Sequence, residues 1–486
     1  MTRWGRTAGP PESPVPIISE VREEVIMQSA AANIQKLKSS FKGEILLPGD
    51  EAYEGARKIW NAMIDKHPAV IARCLGASDV VDAVNFARDS GLMLAVRGGG
   101  HNIAGSALCD DGIVIDLSKM RQATVDPGNR RVIIEGGATL AELDAATQAH
   151  GLATPVGINS TTGLAGLTLG GGFGWLSRKY GMTIDNLESA EVVTAAGQVV
   201  RASAAENPDL FWALRGGGGN FGVVTRFEFR LHAVGPDVLS GLVVYPIDQA
   251  GPVLRQYRDF AATAPDELSV WALLRKAPPL PFLPKEVHGR GIVALALLYA
   301  GDPQRGEPLT EPLRKFGVPV GEHVGVQPYV AWQQAFDPLL AAGARNYWKS
   351  HNFSTLSDKL FDVAIDYIGR QPSPQCEIFF GALGGASTRP TPDSAAYPHR
   401  DAEFVMNVHA RWDSHDDDDR CIGWARSFFN ASAPFANGGV YVNFMTADEG
   451  DRLRAAYGSN YDRLASVKRA YDPDNLFHIN QNIKPS

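Results

Sequence analysis

Cysteine is scarce in this sequence, and its scarcity argues against several classes of protein. Only four cysteines occur among 486 residues, namely Cys74, Cys109, Cys376 and Cys421. They are scattered, with no C-x-x-C pair and no spacing typical of a metal site. So few cysteines in so long a chain do not make a disulfide framework. We therefore expect a cytoplasmic protein that binds no metal.

Long apolar runs are also missing. No stretch is long and apolar enough to span a membrane, so we expect no membrane partner. The N-terminal stretch MTRWGRTAGPPESPVPIISEVREEV lacks the apolar core of a secretory signal peptide. Its prolines and charges predict a loose N-terminal extension over residues 1–43.

The sequence has fewer positively than negatively charged side chains. Lys and Arg number 46 against 54 Asp and Glu, which leaves a net charge of −8. This balance argues against nucleic acid or an anionic membrane as the main partner. Hydrophobic residues make up 44% and charged residues 21% of the chain, as in an ordinary globular protein. A chain of 486 residues is too long for one core, so we expect two domains.

Glycine, in contrast, is abundant, and its first cluster is Arg97-Gly98-Gly99-Gly100-His101. Because these glycines have no Cβ atom, their backbone N–H groups can approach a ligand closely, as a pyrophosphate requires. The Arg side chain supplies fixed donors for an anion, and the His ring supplies a nucleophilic nitrogen. An ordinary glycine-rich turn is the alternative interpretation of this run.

The residues before this cluster predict a β-α-β unit. Val70–Cys74 and Leu92–Val96 are apolar enough for buried strands. Ser78 is a suitable N-cap for a helix over Asp79–Ser90 between them. This order superficially suggests a dinucleotide-binding fold. However, the glycines follow the second strand and no helix begins on them, which argues against a nicotinamide-dependent dehydrogenase.

Two further glycine clusters follow the first. Gly157–Asn186 interleaves glycines with Leu, Phe and Trp, so it is neither a regular helix or strand nor a disordered linker. Arg215–Gly222 reads RGGGGNFG and lies between a predicted helix and a predicted strand. Together the clusters indicate one ligand site built from three loops, with backbone packed against a large flat ligand.

These clusters and the C-terminal run resemble one known family. The motifs RGGGH, GLTLGGGFGWLSRKYG, DLFWALRGGGGNFGVVT and YDPDNLFHINQNI occur in that order. They are similar to motifs of the FAD-linked oxidases of the vanillyl-alcohol oxidase and p-cresol methylhydroxylase superfamily. The berberine-bridge-enzyme-like branch, which includes the bacterial 6-hydroxy-D-nicotine oxidase type and several carbohydrate oxidases, is the most similar. The resemblance extends from about residue 44 to the end of the chain.

The resemblance implies an α+β fold of the two-domain PCMH type, in which the antiparallel sheet of a substrate domain covers the flavin. Strand-like and helix-like runs with little βαβ repetition in the middle segment agree with this fold. There we expect a helix over Tyr329–Leu340 and a solvated loop over His415–Asp419. The expected order is an extension (1–43), a FAD-binding domain (44–235), a substrate-binding domain (236–434) and a berberine-bridge-like segment that returns to the FAD domain (435–486).

His101 is the residue for which the resemblance implies a specific chemistry. The corresponding His of the family bonds covalently to the 8α carbon of FAD. Many members add a second bond, from a Cys to flavin C6. That Cys position, counted back from Gly170–Gly174, holds Asn159 in this sequence. Because an amide cannot replace a thiolate, we expect FAD to be attached through His101 alone, with no cysteinyl bond.

Other cofactor contacts are expected in the glycine clusters, beside them and in the C-terminal run. Thr162 falls where relatives carry a gate residue beside flavin C4a, and small side chains there accompany reaction with O₂. The residues predicted to bind FAD are Arg97, Gly98, Gly99, Gly100, His101, Asn102, Gly157, Thr161, Thr162, Gly166, Gly171, Gly172, Gly174, Trp175, Tyr180, Gly181, Asp185, Asn186, Gly222, Val223, Tyr441, Asn443, Asn480 and Asn482.

The predicted catalytic residues are Tyr441, His409 and Asn443. Tyr441 and Asn443 match the Tyr-x-Asn motif of the family, and on a strand they would point to the same face. In several relatives the Tyr hydroxyl abstracts a substrate proton while hydride passes to flavin N5. A phenol with a pKa of about 10 is a poor base at neutral pH, so the site must lower that pKa or couple the two transfers. A buried structural Tyr is the alternative.

Further candidates come from the expected roof of the site. Asn407, His409 and Arg411 alternate on one strand face, so one of them is expected to meet the substrate. Glu377 is a second possibility, and Lys349 lies in a Tyr-Trp-Lys-Ser run that matches a recurring family tetrad. A satisfied structural polar group is the alternative for each of these residues.

The resemblance implies a FAD-dependent oxidase. Such an enzyme transfers hydride from a small organic substrate to FAD, and O₂ reoxidises the flavin with release of H₂O₂. The alternatives are a FAD-dependent dehydrogenase with another electron acceptor and a non-catalytic flavin-binding protein. Secondary alcohols, sugars, hydroxylated N-heterocycles and tailoring intermediates all remain open as substrates, because fold-level analogy does not transfer specificity.

Overall fold

The structure is a computed structural model that describes residues 34–486. Its α-helices are α1 (34–40), α2 (Tyr53–Ala56), α3 (Ala77–Ser90), α4 (Leu140–Gln148), α5 (Leu164–Leu169), α6 (Ser177–Tyr180), α7 (Pro208–Leu214), α8 (Ala250–Ala261), α9 (Pro303–Thr310), α10 (Tyr329–Gln333), α11 (Asp358–Gly369), α12 (Asp418–Ser432), α13 (Leu453–Tyr457) and α14 (Tyr461–Tyr471). Its strands are β1 (Glu44–Leu46), β2 (Val70–Arg73), β3 (Leu94–Arg97), β4 (Ile113–Asp116), β5 (Ala123–Asp126), β6 (Arg131–Glu135), β7 (Leu152–Ala153), β8 (Leu187–Val193), β9 (Val199–Ser203), β10 (Val223–Arg230), β11 (His232–Ala233), β12 (Asp237–Pro246), β13 (Leu268–Lys276), β14 (Gly291–Tyr299), β15 (Gly321–Pro328), β16 (Arg345–Phe353), β17 (Glu377–Ala382) and β18 (Phe404–Trp412).

The first sheet of the chain positions the RGGGH cluster. It has the order β1-β2-β4-β3, in which β2 and β3 both run parallel to β4. Arg97 is the last residue of β3, so the glycines and His101 leave the carboxyl end of that strand. The predicted β-α-β unit is present, but α3 begins one residue before Ser78 and its N-cap is Gly76. The Ser78 prediction was therefore wrong.

A second sheet completes this half of the molecule. It is antiparallel and has the order β5-β6-β10-β8-β9. Residues 1–33 of the predicted extension lie outside the described residues, whereas 34–40 form α1. Leu37 and Phe41 are buried in the same cluster as Val80 and Val84 of α3. This part of the predicted extension therefore packs on the sheets that follow it, because its apolar side chains are removed from water there.

The middle of the chain forms one antiparallel sheet of seven strands, in the order β15-β12-β14-β13-β17-β18-β16. One face of this sheet packs against α8, α11 and α12 in a large apolar cluster. The other face turns towards the glycine clusters. Because both faces are covered, β14 and β18 are buried along almost their whole length. The predicted α+β fold with an antiparallel roof is confirmed.

Two local predictions in this segment were wrong. The helix expected over Tyr329–Leu340 ends at Gln333, and a short 3₁₀ turn over Asp337–Leu339 follows it. The acidic run expected to be a solvated loop is largely exposed, but it forms a 3₁₀ turn over His415–Asp417 and then opens α12, whose first residue is Asp418. Asp418 accepts hydrogen bonds from Arg345 and from the Trp412 indole, so it is partly buried rather than solvated. Acidic residues at a helix N-terminus also favour the helix dipole.

The C-terminal segment returns to the glycine clusters. Lys468 of α14 is fully buried and donates to Asp472 Oδ2 at 2.6 Å, to the Asn220 carbonyl at 2.8 Å and to the Phe477 carbonyl at 2.9 Å. These bonds join the C-terminal run to the third glycine cluster. Among residues 34–486, no helix combines the length and apolar character needed to cross a membrane.

Candidate functional site

A cavity of about 330 Å³ lies between the glycine clusters and the seven-stranded sheet. Its floor is formed by residues of all three glycine clusters and of the C-terminal run. Its roof is formed by side chains of β13, β16, β17 and β18. The three glycine clusters therefore line one cavity, although more than a hundred residues separate the first from the third.

The floor of the cavity is built of backbone at its closest point. A Cβ atom on Gly99 would lie 2.4 Å from the Gly163 nitrogen, and a Cβ atom on Gly163 would lie 2.3 Å from the Gly99 nitrogen. Only glycine permits this approach of two loops. At Gly166 and Gly219, which also line the cavity, an added Cβ atom would meet no atom within 4 Å. A side chain there would enter the cavity, so the bare floor fits the flat ring and the pyrophosphate of FAD.

His101 faces this floor. Its ring lies against the indole of Trp60, with centroids 5.2 Å apart and planes inclined by 20°. Its Nε2 atom is 3.0 Å from the hydroxyl of Thr161. Burial lowers the pKa of His101 to about 4. The ring is therefore neutral at physiological pH and keeps a lone pair on one nitrogen, as a nucleophile must.

Tyr441 and Asn443 reach the cavity from a 3₁₀ turn over Val442–Phe444, not from the expected strand. The two side chains still meet, because Asn443 Nδ2 donates to the Tyr441 hydroxyl at 3.1 Å. The Gly172 backbone N–H donates to the same hydroxyl, also at 3.1 Å. Burial nevertheless raises the pKa of Tyr441 to about 12, and these two bonds only partly oppose it. Of the two alternatives for a Tyr441 base, a lowered pKa and coupled transfers, the first is therefore not found.

A row of polar side chains crosses the roof. Arg275, Glu377, His409 and Trp348 are direct neighbours on four adjacent strands, in the order β13, β17, β18, β16. Arg275 donates to Glu377 Oε2 at 2.6 Å, and His409 Nδ1 lies 3.5 Å from Glu377 Oε1. Burial opposes ionisation of Glu377, but the neighbouring Arg275 charge is the main cause that outweighs it and leaves the carboxyl pKa below its ordinary value.

The ring of His409 is oriented by Asn346. Arg411 donates to Asn346 Oδ1 at 3.1 Å, which identifies that atom as the amide oxygen. His409 Nε2 lies 3.0 Å from the same oxygen and must therefore donate to it. The other nitrogen, Nδ1, then faces Glu377. Burial lowers the pKa of His409, while Glu377 raises it, with a net shift downwards.

Of the residues predicted to bind FAD, thirteen line the cavity. They are Gly98, Gly99, Gly100, His101, Asn102, Gly157, Thr162, Gly166, Gly222, Val223, Tyr441, Asn443 and Asn480. Thr161 is not part of this lining, but its hydroxyl contacts His101. Asn480 Oδ1 is buried and has no hydrogen-bond partner within residues 34–486, so the cavity contains a polar atom available to a ligand.

Eleven predicted residues lie outside the cavity lining, so their role in binding FAD stays a prediction. They are Arg97, Thr161, Gly171, Gly172, Gly174, Trp175, Tyr180, Gly181, Asp185, Asn186 and Asn482. Most belong to the second half of the long glycine segment, of which Phe173 lines the cavity while the residues named here do not. Tyr180 stacks on His232 with ring centroids 3.9 Å apart, and Asp185 forms a bidentate ion pair with Arg400 at 2.7 and 2.8 Å.

The remaining residues of that half pack or bond elsewhere. Trp175 lies against Trp271 with ring centroids 4.7 Å apart, and Asn186 Nδ2 donates to the Tyr180 and Met182 carbonyls. Arg97 donates to the Ala56 carbonyl at the end of α2. These contacts hold the glycine loops in place from behind, because they satisfy buried polar groups away from the cavity.

The other roof candidates divide between the two faces of the sheet. Asn407 lines the cavity, and its Oδ1 atom is buried without a partner within the described chain. Arg411 packs its guanidinium over Trp60, 5.5 Å from the ring, and is outside the lining. Lys349 points to the opposite face, where it pairs with Asp448 at 3.2 Å and Glu449 at 3.3 Å. Lys349 is therefore a structural residue.

Several lining residues were missed in the sequence. The aromatic side chains Trp60, Trp348, Phe379 and Phe444 surround the space below the polar row. Trp348 was detectable, because it precedes Lys349 on a strand and must face the side that Lys349 does not. Trp60 carried no such signal. None of the four cysteines lines the cavity, and all four are buried elsewhere.

Comparisons with known proteins agree with this geometry. The family profile described as "FAD binding domain" matches residues 68–203, and the profile described as "Berberine and berberine like" matches residues 440–484. The chain is 33% identical over 457 residues to a FAD-linked oxidoreductase of Dictyostelium discoideum, covering 93% of this chain and 97% of the relative. It is 30% identical over 456 residues to the (R)-6-hydroxynicotine oxidase of Paenarthrobacter nicotinovorans, covering 92% and 97% respectively. The crystal structure of 6-hydroxy-D-nicotine oxidase from Arthrobacter nicotinovorans matches with a TM-score of 0.82 at 28% identity, covering 92% of this chain and 99% of that one.

Proposed function

Because this chain belongs to the berberine-bridge-like family of FAD-linked oxidoreductases, we propose that it is a FAD-dependent oxidase of small organic substrates with one covalent tether, at His101. One observation carries the proposal. The glycine-backed floor, His101 and the polar row of the roof all face a single cavity. A cofactor on the floor and a substrate beneath the roof would therefore be held face to face.

In this proposal the floor of the cavity binds FAD, and the roof faces the substrate. The glycine backbones, Asn102 and Asn480 would hold FAD, with its 8α carbon at His101. Bound there, FAD would supply the hydride acceptor and the route for electrons to O₂, with release of H₂O₂. All four cysteines lie away from the lining, which supports attachment through the histidine alone.

Tyr441 acts in this proposal as a hydrogen-bond donor. Its oxygen already accepts two N–H groups, from Gly172 and Asn443, so its own proton is directed to a third partner. With a pKa of about 12, the phenol is protonated at neutral pH. It therefore holds a substrate oxygen or nitrogen in place rather than removing a proton in the resting enzyme.

His409 acts as the proton acceptor. His409 lines the cavity, and its Nε2 atom is committed to Asn346, so Nδ1 carries the lone pair beside Glu377. A proton taken from a substrate O–H or N–H would sit between Nδ1 and Glu377 Oε1. Arg275 keeps Glu377 ionised, and the carboxylate stabilises the imidazolium formed.

The walls of the cavity favour a substrate with a flat ring. Trp60, Trp348, Phe379 and Phe444 offer ring faces and edges to it, and such surfaces bind planar groups by stacking. The relative named (R)-6-hydroxynicotine oxidase supports testing hydroxylated N-heterocycles first. Alcohols and oligosaccharides belong in the same screen.

A peroxide-release screen tests the proposal. The purified protein is offered N-heterocycles, aromatic and secondary alcohols, amines and oligosaccharides in air, and H₂O₂ is measured with a coupled peroxidase. At least one class is expected to release one H₂O₂ per substrate oxidised. Anaerobic bleaching of the flavin by a substrate, without peroxide in air but with turnover of a dye acceptor, would instead identify a dehydrogenase. If no substrate class bleaches the flavin, the proposed oxidase activity is contradicted.

A further inference from the structure

We propose that Thr161 and Asn159 are positioning residues that set the tautomer of His101 for attachment of FAD, an inference that rests on the histidyl tether proposed above. The three side chains form one hydrogen-bonded chain on the edge of the cavity. The direction of each bond in that chain follows from the chemistry of its donors and acceptors.

The row of hydrogen bonds begins at the side-chain amide of Asn159. The Thr161 backbone N–H donates to Asn159 Oδ1 at 3.0 Å. Because a backbone N–H only donates, the accepting atom is the amide oxygen and not the amide nitrogen. The Thr161 hydroxyl lies 2.7 Å from the same oxygen. An amide oxygen only accepts, so the hydroxyl must donate its single hydrogen to Asn159.

The last bond of the chain then has one possible direction. Thr161 Oγ1 lies 3.0 Å from His101 Nε2. Its hydrogen is already given to Asn159, so the hydroxyl can only accept here. His101 must therefore carry its proton on Nε2, which leaves the lone pair on Nδ1. Nδ1 makes no hydrogen bond to any residue in the described part of the chain, and His101 lines the cavity.

The surroundings hold this arrangement in one geometry. Trp60 stacks on the His101 ring, while the Ser160 backbone N–H donates to Asp337 Oδ1 at 2.9 Å. Asp337 belongs to the middle segment of the chain, so the loop that carries Asn159 and Thr161 is anchored from across the cavity. Burial also keeps His101 neutral, since it lowers the pKa to about 4.

Attachment of FAD to His101 is a two-electron oxidation, and O₂, the co-substrate of the proposed reaction, is its oxidant. A bond forms between His101 Nδ1 and the 8α carbon, and one C–H bond of that methyl group breaks with loss of a proton. The Nε2 proton is lost as well, and the two electrons of the broken C–H bond pass into the ring system. O₂ takes up these electrons with the two protons as H₂O₂. After attachment Nε2 is an acceptor, and the Thr161 hydroxyl can rotate to donate to it.

Asn159 also occupies the position at which many relatives carry the cysteine of a second tether. Here its amide is directed at Thr161, and through Thr161 at the histidine of the first tether. Asn159 is only 8% exposed, whereas Thr161 is exposed at the edge of the cavity. The site thus uses this position to orient the histidine.

The test measures covalent flavin, not turnover. Wild type, Thr161→Val, Thr161→Ser and a matched control, Thr168→Val, are purified and incubated with FAD in air. Thr168 is a suitable control because its hydroxyl is buried, makes no hydrogen bond within residues 34–486 and lies outside the cavity lining. At each time, flavin retained in the acid-precipitated protein is compared with total bound flavin, and tryptic peptides are weighed by mass spectrometry.

Thr161→Val is expected to bind FAD but to attach it at least about tenfold more slowly, because the ring loses the partner that selects its reactive tautomer. Thr161→Ser and Thr168→Val are expected to attach FAD at close to the wild-type rate. If Thr161→Val does not fold, the pair Asn159→Asp and Asn159→Leu replaces it, since only the carboxylate can accept both bonds from Thr161.

The results distinguish a missing tether at His101 from a missing positioning role of Thr161 and Asn159. Wild-type protein that releases all its flavin in acid, or carries it on a peptide without His101, overturns the proposed tether and this inference with it. Wild-type flavin on the His101 peptide together with normal attachment in Thr161→Val and Asn159→Leu overturns only the positioning role. Slow attachment in Thr161→Ser and Thr168→Val as well would also overturn it, because general disturbance of the loop would then be the cause.

Discussion

The indole of Trp60 covers the imidazole of His101, with ring centroids 5.2 Å apart and planes inclined by 20°. Trp60 also joins the two halves of the molecule. Its backbone N–H donates to the Gly100 carbonyl at 3.1 Å, and its Nε1 donates to the Leu340 carbonyl at 2.6 Å. One aromatic side chain therefore supports the glycine loop, the tether and the segment across the cavity.

Trp60→Ala should destabilise the protein by roughly 3–5 kcal/mol, the usual cost of removing a buried Trp. Trp60→Phe keeps a ring against His101 but loses the Nε1 bond and part of the buried ring volume, so its cost should be smaller, about 1–3 kcal/mol. Denaturation midpoints of the flavin-bound proteins measure both changes. Equal midpoints for the two variants would mean that the stacked ring contributes nothing.

The two candidates for proton transfer differ in the size of the expected effect. His409→Gln should slow flavin reduction by on the order of 10²–10⁴-fold, because a positioned base is lost. Tyr441→Phe removes a hydrogen-bond donor worth about 1 kcal/mol, so it should slow the same step only several-fold. Anaerobic stopped-flow measurement of flavin absorbance distinguishes them. A larger loss in Tyr441→Phe than in His409→Gln would make Tyr441 the base.

The pH dependence of flavin reduction should also identify the base. The pKa of His409 lies below its ordinary value, mainly because the ring is buried. The neutral base is therefore present throughout the neutral and alkaline range, and the rate should fall only as pH drops into the acid range. A phenolate base with the Tyr441 pKa of about 12 would instead make the rate climb about tenfold per pH unit on the alkaline side.

Removal of one partner from the buried ion pair of Arg275 and Glu377 should lower the stability of the folded protein. Arg275→Met leaves a buried carboxylate unpaired, at a cost of about 3–5 kcal/mol, and Arg275→Met/Glu377→Leu should recover most of that loss. The pKa of Glu377 is lowered in the folded protein. Its ion pair therefore contributes stability above the unfolded carboxyl pKa and loses it as pH falls through the folded value. The gap between wild type and Arg275→Met should shrink on acidification. A gap that is constant from neutral to acid pH would contradict this assignment.

Reaction with O₂ should depend on Thr162, which lines the cavity beside the glycine floor. Thr162→Leu places a larger side chain there and should slow reoxidation of anaerobically reduced protein mixed with aerated buffer. Reduction by substrate should change little, and Thr162→Val, which is close to Thr in size, should reoxidise like wild type. Unchanged reoxidation in Thr162→Leu would remove Thr162 from the path of O₂.

Some parts of the site were predictable because they depend on single residues or on strand periodicity. The absence of a Cβ atom is a local property, so the glycine clusters identified the floor. Alternation along Phe404–Trp412 put Asn407 and His409 on one face, and both line the cavity. The same alternation could not say which face of β16 meets the cavity, and Lys349 was a candidate only because its Tyr-Trp-Lys-Ser run matches a family tetrad.

The sequence by itself determined the α+β fold, the three glycine loops that converge on one cavity and the amide in place of a second cysteine. Only the tertiary structure decided that most of the predicted residues in the second half of the long glycine segment lie outside the cavity lining, that Trp60 covers His101 and that Tyr441 has a raised pKa. The physical reason is the range of the interactions. A missing Cβ atom acts within its own loop, whereas burial of a phenol or stacking of two rings sums contributions from segments that are distant in the chain.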